Sequence, residues 1–86
     1  MPRLSAFYGI AVYMYFSDHQ PPHFHAVYGE HEALIDIRSL EPLQGKLPRR
    51  ALMMVLDWAE MHQAELLEDW ALCEQLLPPR KIKPLE

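Results

Sequence analysis

The sequence contains one cysteine, Cys73, and three glycines among its 86 residues. A single thiol excludes an internal disulfide and any zinc site built from cysteine. It also suits a reducing compartment. Long apolar runs are missing as well. The stretch from Leu4 to Ser17 carries no charge, but Gly9 interrupts it and it falls short of the ~20 residues a spanning helix needs. No secretory pattern follows Met1-Pro2-Arg3. A cytoplasmic protein without membrane association is therefore expected. Positive charge is absent from residues 51–79, which hold Asp57, Glu60, Glu65, Glu68, Asp69 and Glu74. With a net charge of −4 the chain is a poor general binder of nucleic acid, since affinity for phosphate follows the number of cations. Nucleic acid then enters only through a partner protein or as an RNA substrate.

Half of the residues are hydrophobic. A chain of this length makes one small domain, residues 1–86, and buries only about 60% of its unfolded surface. Small size combined with apolar richness favours a homodimer or a protein partner. Residues 1–6 are expected to form an N-terminal arm. Phe7 to Phe16 is rich in Tyr, Phe, Ile and Val and reads as a strand. Alternation puts Ile10, Val12, Met14 and Phe16 on a core face and Ala11, Tyr13 and Tyr15 opposite. Gln20-Pro21-Pro22 is stiff and extended, because proline fixes its own φ and restricts its predecessor. His23 to Tyr28 resumes as a strand, and Gly29-Glu30 signals a hairpin. Glu32 to Arg38 gives a third strand, with Ala33, Ile35 and Ile37 inward. Pro42 to Lys46 reads as a short fourth strand at an edge, where a missing N–H is tolerated.

Pro48 opens a helical region. Leu52, Val55, Ala59, Leu66, Trp70, Cys73 and Leu77 recur at helical spacing, with no Gly or Pro over residues 49–77. One continuous helix would be roughly 45 Å long at 1.5 Å per residue, too long for this domain. A break near His62 to Ala64 is expected, giving two helices within residues 48–77. Pro78-Pro79 ends the second. Residues 78–86 form a tail in which Ile82 and Leu85 are set to return as a short edge strand. The expected fold class is α+β: an antiparallel meander of three to four strands over residues 7–46, packed against two C-terminal helices.

Three of the five histidines lie within Ser17-Asp18-His19-Gln20-Pro21-Pro22-His23-Phe24-His25. On a strand His23 and His25 share a face, and His19 can fold back over them. Three imidazoles and the Asp18 carboxylate suffice for a zinc, nickel or iron site with an open position. His31 or Asp36 could complete it. The same residues serve acid–base chemistry, since imidazole both takes and gives a proton near neutrality. His23, His25 and Tyr15 are then the catalytic candidates, with Tyr13 and Arg38 on the same open face. The plainest alternative is that the histidines cap the hairpin and bind backbone groups around Pro21-Pro22. Lys46, Arg49 and Arg50 oppose the dipole of the helix they open. They either bind an anion at its free N–H groups or reach acidic residues of a neighbouring helix or partner. Trp58 and Trp70 sit at core spacing. Met53, Met54 and Met61 lie partly off the apolar stripe and suit a partner surface.

Phe7-Tyr8-Gly9-Ile10, Met14-Tyr15-Phe16, Asp18-His19, Pro21-Pro22-His23-Phe24-His25-Ala26 and Tyr28-Gly29 resemble a bacterial family called domain of unknown function 4160. The resemblance continues through Gly45-Lys46-Leu47-Pro48-Arg49-Arg50-Ala51-Leu52, Trp58-Ala59-Glu60, His62 and Glu65-Leu66-Leu67-Glu68-Asp69-Trp70. The sequence departs from the pattern at Tyr13, where a basic residue is expected, and at His31. The resemblance implies a neighbouring gene of another small family, domain of unknown function 2442. Such a pair suggests a component of a toxin–antitoxin-like module acting through a small protein partner encoded nearby. A histidine-dependent ribonuclease or metal-dependent hydrolase using His19, His23 and His25 is the alternative function.

Overall fold

A computed structural model describes residues 2–86. Five strands precede two helices: β1 (Arg3–Phe7), β2 (Ile10–Tyr13), β3 (His23–Tyr28), β4 (His31–Asp36), β5 (Pro42–Gly45), α1 (Arg49–Met61) and α2 (Gln63–Glu74). The strands form one antiparallel sheet in the order β1-β2-β3-β4-β5. This is the expected α+β meander with two C-terminal helices, and it has five strands rather than three or four.

The extra strand comes from the segment expected to be an arm. Arg3–Phe7 pairs with β2 through Phe7↔Ile10 and Ala6↔Ala11. Met1 lies outside the described residues. Tyr8 and Gly9 both take positive φ, 50° and 81°, which is the backbone a two-residue hairpin turn needs. The expected continuous strand from Phe7 to Phe16 is therefore a hairpin followed by a loop. β2 ends at Tyr13, and Ser17 at φ 53° turns the chain away, so Phe16 is exposed instead of facing the core. Ile10, Val12 and Met14 are buried as the alternation requires.

The core lies between one sheet face and the helices. Val12, Phe24, Ala26, Ala33, Ile35 and Ile37 are fully buried with Val55, Trp58 and Leu66. Trp58 is central: its ring lies 5.4 Å from Phe7 and 5.8 Å from Phe24, the latter edge-on. Its Nε1–H donates to the Lys83 carbonyl at 2.8 Å, so the buried indole has its polar partner. The helices break at His62 (φ −123°, ψ 22°), within the expected segment. The adjoining Gln63 side chain donates to the Ile37 carbonyl at 2.8 Å and fixes this corner to the end of β4.

α2 stops at Glu74, before Pro78-Pro79. Leu76 takes φ 62°, and the Leu77 and Leu76 N–H groups donate back to the Leu72 and Cys73 carbonyls. This is a Schellman ending with leucine where glycine is usual. The tail returns to the sheet edge as expected, but through a single backbone bond and not as a strand. The Ile82 N–H donates to the Leu4 carbonyl at 2.8 Å, and Ile82 is buried. Among the described residues no helix is long and apolar enough to cross a membrane.

Candidate metal centre

The register places Tyr13, His25 and Leu34 side by side across β2, β3 and β4, on the sheet face opposite Phe24. His23 shares that face, being two residues from His25. The loop between β2 and β3 folds over it. The loop is held by Met14 N–H to the Pro2 carbonyl (3.2 Å), Ser17 N–H to the Cys73 carbonyl (3.3 Å), Gln20 Nε2 to Glu74 Oε2 (2.8 Å), and Ile37 N–H to the Pro22 carbonyl (3.0 Å). The Gln20–Pro21 peptide is cis. The His19 N–H donates to Asp18 Oδ1 at 2.8 Å, which leaves Oδ2 facing the histidines.

Asp18 Oδ2 lies 3.1 Å from His23 Nε2 and 3.2 Å from His25 Nε2. The opposite ring nitrogens are also engaged. His23 Nδ1 is 2.8 Å from the Pro21 carbonyl, and His25 Nδ1 is 3.0 Å from Glu32 Oε2. A carbonyl oxygen only accepts, so His23 Nδ1 carries a proton and donates it. In the neutral ring, His23 Nε2 is then a bare lone pair pointed at a carboxylate oxygen. His25 faces a carboxylate from both nitrogens and, when neutral, has one proton to offer. Three nitrogen–carboxylate contacts therefore have one N–H between them. A cation that takes the two Nε2 lone pairs together with Asp18 Oδ2 would satisfy this arrangement. The cation fits the arrangement behind the rings. Metal-bound histidines characteristically donate their second N–H to a carbonyl or carboxylate; His23 Nδ1–H does so to the Pro21 carbonyl, and His25 Nδ1 faces Glu32 in the position for the same bond. An ion bound at about 2.1 Å separates neighbouring ligand atoms by about 3.0–3.4 Å, the range of the two Nε2–Oδ2 distances.

The cluster is shielded but not sealed. Side-chain exposure is 5% for His23, 11% for His25 and 19% for Asp18. The Trp70 ring packs 5.2 Å from His23, and Tyr15 stands edge-on to His25 at 4.3 Å. Burial works to raise the Asp18 carboxyl, but the His19 N–H, the His25 hydrogen bond and the charges of both histidines outweigh it. The group titrates below its ordinary value and is a carboxylate near neutrality. Tyr15 moves the other way: burial first, then the Glu32 and Asp18 charges, push its phenol up. It is a neutral hydroxyl at physiological pH and not a phenolate.

Asp18, His23 and His25 thus come together, with ligating atoms within 4.8 Å of one another, and Tyr15 adjoins them. His19 does not join them: its side chain is exposed, and only its N–H contributes. His31 pairs with Tyr28 and is exposed. The Asp36 carboxylate accepts from the Arg38 and Ser39 N–H groups and is used in its turn. Lys46, Arg49 and Arg50 are exposed, and Lys46 and Arg50 line separate recesses. α1 has neither an acidic residue in its first turn nor a side-chain cap. Sequence reasoning missed Glu32, which holds His25 from behind. The signal was present: a two-residue turn at Gly29-Glu30 pairs Val27 with Glu32, one step diagonal from His25.

The fold and this cluster define a small α+β protein with two histidines and an aspartate gathered beneath a loop on the free sheet face. The chain belongs to the family described as domain of unknown function (DUF4160), whose model matches residues 9–71 and so takes in β2 to most of α2 and the whole cluster. No curated protein and no solved structure matches the chain.

Proposed function

We propose that Asp18, His23 and His25 hold a divalent transition metal (zinc, nickel or iron) and that the protein is a small metal-dependent hydrolase. The observation that carries this reading is the convergence of both Nε2 atoms on Asp18 Oδ2 while both Nδ1 atoms are engaged from behind by the Pro21 carbonyl and Glu32. Three protein ligands leave a position open, the arrangement of catalytic rather than structural zinc sites. A metal held there makes a bound water acidic enough to act as hydroxide near neutral pH. The chain's own part is to fix the ligands: the Pro21 carbonyl and Glu32 set the ring orientations, and the cover of Trp70 and Tyr15 lowers the local dielectric. Elemental analysis of protein purified without a histidine tag tests this, beside a His23→Ala/His25→Ala variant. About one metal per chain is expected, absent from the variant. Failure to bind zinc, nickel or iron stoichiometrically in a titration excludes the reading.

A second reading has its own observation. Met53 and Met61 on α1 are 54% and 61% exposed, and Leu76 beyond α2 is 67% exposed. Large apolar side chains held in water suit a protein partner. They support a cytoplasmic component of a toxin–antitoxin-like two-gene module, acting through a small protein encoded nearby. A second copy of the chain is the other candidate for that surface. Co-expression with the neighbouring gene product followed by size-exclusion chromatography checks it. A protein that stays monomeric and leaves its neighbour unbound counts against the module.

A further inference from the structure

Phe16, Leu76 and Leu77 are 41%, 67% and 45% exposed, and the backbone brings them to one junction of the fold. The N–H that follows Phe16, that of Ser17, donates to the Cys73 carbonyl at 3.3 Å. The same carbonyl accepts the Leu76 N–H at 3.1 Å, so the loop carrying Asp18 and the end of α2 meet at one oxygen. Both donors take positive φ, 53° at Ser17 and 62° at Leu76. For any residue but glycine this backbone is strained, because Cβ crowds the neighbouring carbonyl. At position 76 glycine would relieve that strain, and leucine offers the core little in return, since most of its side chain stays in water. A large apolar side chain held outward on strained backbone points to a use outside the fold.

The junction is acidic on its helix side. Glu74 keeps its charge, because its bonding partner at 2.8 Å is the neutral Gln20 amide. The C-terminal end of α2 adds the negative pole of its dipole, and its last turn holds no basic residue. The cations that border α2 stand towards its other end. Arg80 and Lys81 line a recess with Glu65, Glu68 and Asp69, and the Arg38 carbonyl accepts from Gln63 at the first residue of the helix. Arg3 stands on the sheet, opposite Tyr13. We infer that this junction docks a segment of another protein that presents apolar side chains flanked by lysine or arginine, with the apolar groups on Phe16, Leu76 and Leu77 and a cation at Glu74. This rests on the reading of the exposed apolar side chains as a partner surface, and it names the chemistry of that partner. Charge selects this occupant over a second copy. A symmetric pair uses the same patch twice and so brings two acidic helix ends into one interface, whereas a cationic segment meets the opposite sign.

Two peptides of about 14 residues test it, both with leucine at helical spacing, one with lysine and one with glutamate at the remaining positions. Each is titrated into the full chain by calorimetry and followed by amide chemical shifts. The lysine peptide is expected to bind at least about tenfold more tightly than the glutamate peptide, with the largest shifts at Phe16, Ser17 and residues 74–77. Leu76→Gly relieves the left-handed backbone, so it is expected to raise Tm by about 4 °C while weakening the lysine peptide about tenfold. A gain in stability with a loss of binding separates a docking residue from a structural one. Glu74→Gln keeps an amide oxygen for Gln20 and is expected to weaken the lysine peptide about threefold. Glu60→Gln removes the same charge from α1 and is expected to leave binding unchanged. Shifts centred elsewhere overturn the inference, as do equal losses from Glu74→Gln and Glu60→Gln, which would mark attraction to net charge alone. So does self-association that Leu76→Gly abolishes, which gives the junction to a second copy. A neighbouring gene product that binds and is indifferent to Leu76→Gly overturns the inference and leaves the partner reading standing. If neither the lysine peptide nor that product binds, both fall together.

Discussion

β3 presents two different interiors from one strand. Phe24 and Ala26 are fully buried, and the intervening His23 and His25 are 4% and 9% exposed. Water is excluded from both faces, but by different means. The first face is covered by α1, whose Trp58 reaches Phe7 and Phe24. The second is covered only locally, by the loop carrying Asp18, by Tyr15 and by Trp70. Apolar side chains need only close contact, so a rigid helix is a sufficient lid. Imidazoles need partners of the right sign at each nitrogen, and an irregular loop can supply a carboxylate on one side and a carbonyl on the other. A pleated strand therefore carries an apolar packing face and a face of partnered polar groups, and what distinguishes them is the cover.

Substituting neighbours on β3 tests that division. Phe24→Ala removes a fully buried ring against Trp58 and is expected to cost about 3–5 kcal/mol in urea unfolding. That is a large share of the 5–15 kcal/mol typical of a domain. Zinc stoichiometry of the fraction that remains folded is expected to stay near one. His25→Ala is expected to do the reverse. Zinc affinity in a calorimetric titration falls more than about 100-fold, beyond the usual loss of an outer partner. Stability without metal changes by only about 1 kcal/mol, about 4–8 °C in Tm for a domain of this size. Equal losses of stability from the two substitutions would show that the histidines serve packing, with no separate site.

The two faces were also unequally legible in the sequence. Val12, Phe24, Ile35 and Ile37 follow a period of two, and their burial could be read directly. The helix break at His62 followed from length alone. β1 was hidden because its turn, Tyr8-Gly9, lies inside an aromatic run and places a non-glycine residue at positive φ. On the other face His23 and His25 could be paired by parity. The role of His19 could not be read, because a loop's backbone decides it: the residue gives its N–H to Asp18 and sends its ring to solvent. Periodicity reports which residues share a side of a regular element. It carries nothing about how a loop between two such elements folds back.

A smaller effect sharpens the comparison from the helical side, where one carboxylate is buried without the partners Asp18 has. Asp69 on α2 is 2% exposed. Its Oδ1 accepts the Arg80 N–H at 2.8 Å, and its Oδ2 has no hydrogen-bond partner. Burial pushes its carboxyl up, the Arg80 N–H pulls it down, and the charges of Glu65 and Glu68 add to the rise, so the net shift is upward. A carboxyl raised in the folded state holds a proton that the unfolded chain has already released. Its contribution is most favourable below the ordinary aspartate pKa of about 3.9 and is lost as pH rises through the folded value. Above that value the ionised group costs stability. Asp69→Asn keeps an oxygen for the Arg80 N–H and removes the charge. It is expected to stabilise the protein at pH 7 by on the order of 1 kcal/mol, because an unpartnered neutral amide costs less to bury than an unpartnered carboxylate. In thermal melts the gain is expected to shrink as pH is lowered towards 4. A gain that persists unchanged in acid would mean that the charge is not its source. Asp18, lowered where Asp69 is raised, shows what two facing histidines and one N–H do for a carboxylate that Asp69 meets with a single backbone donor.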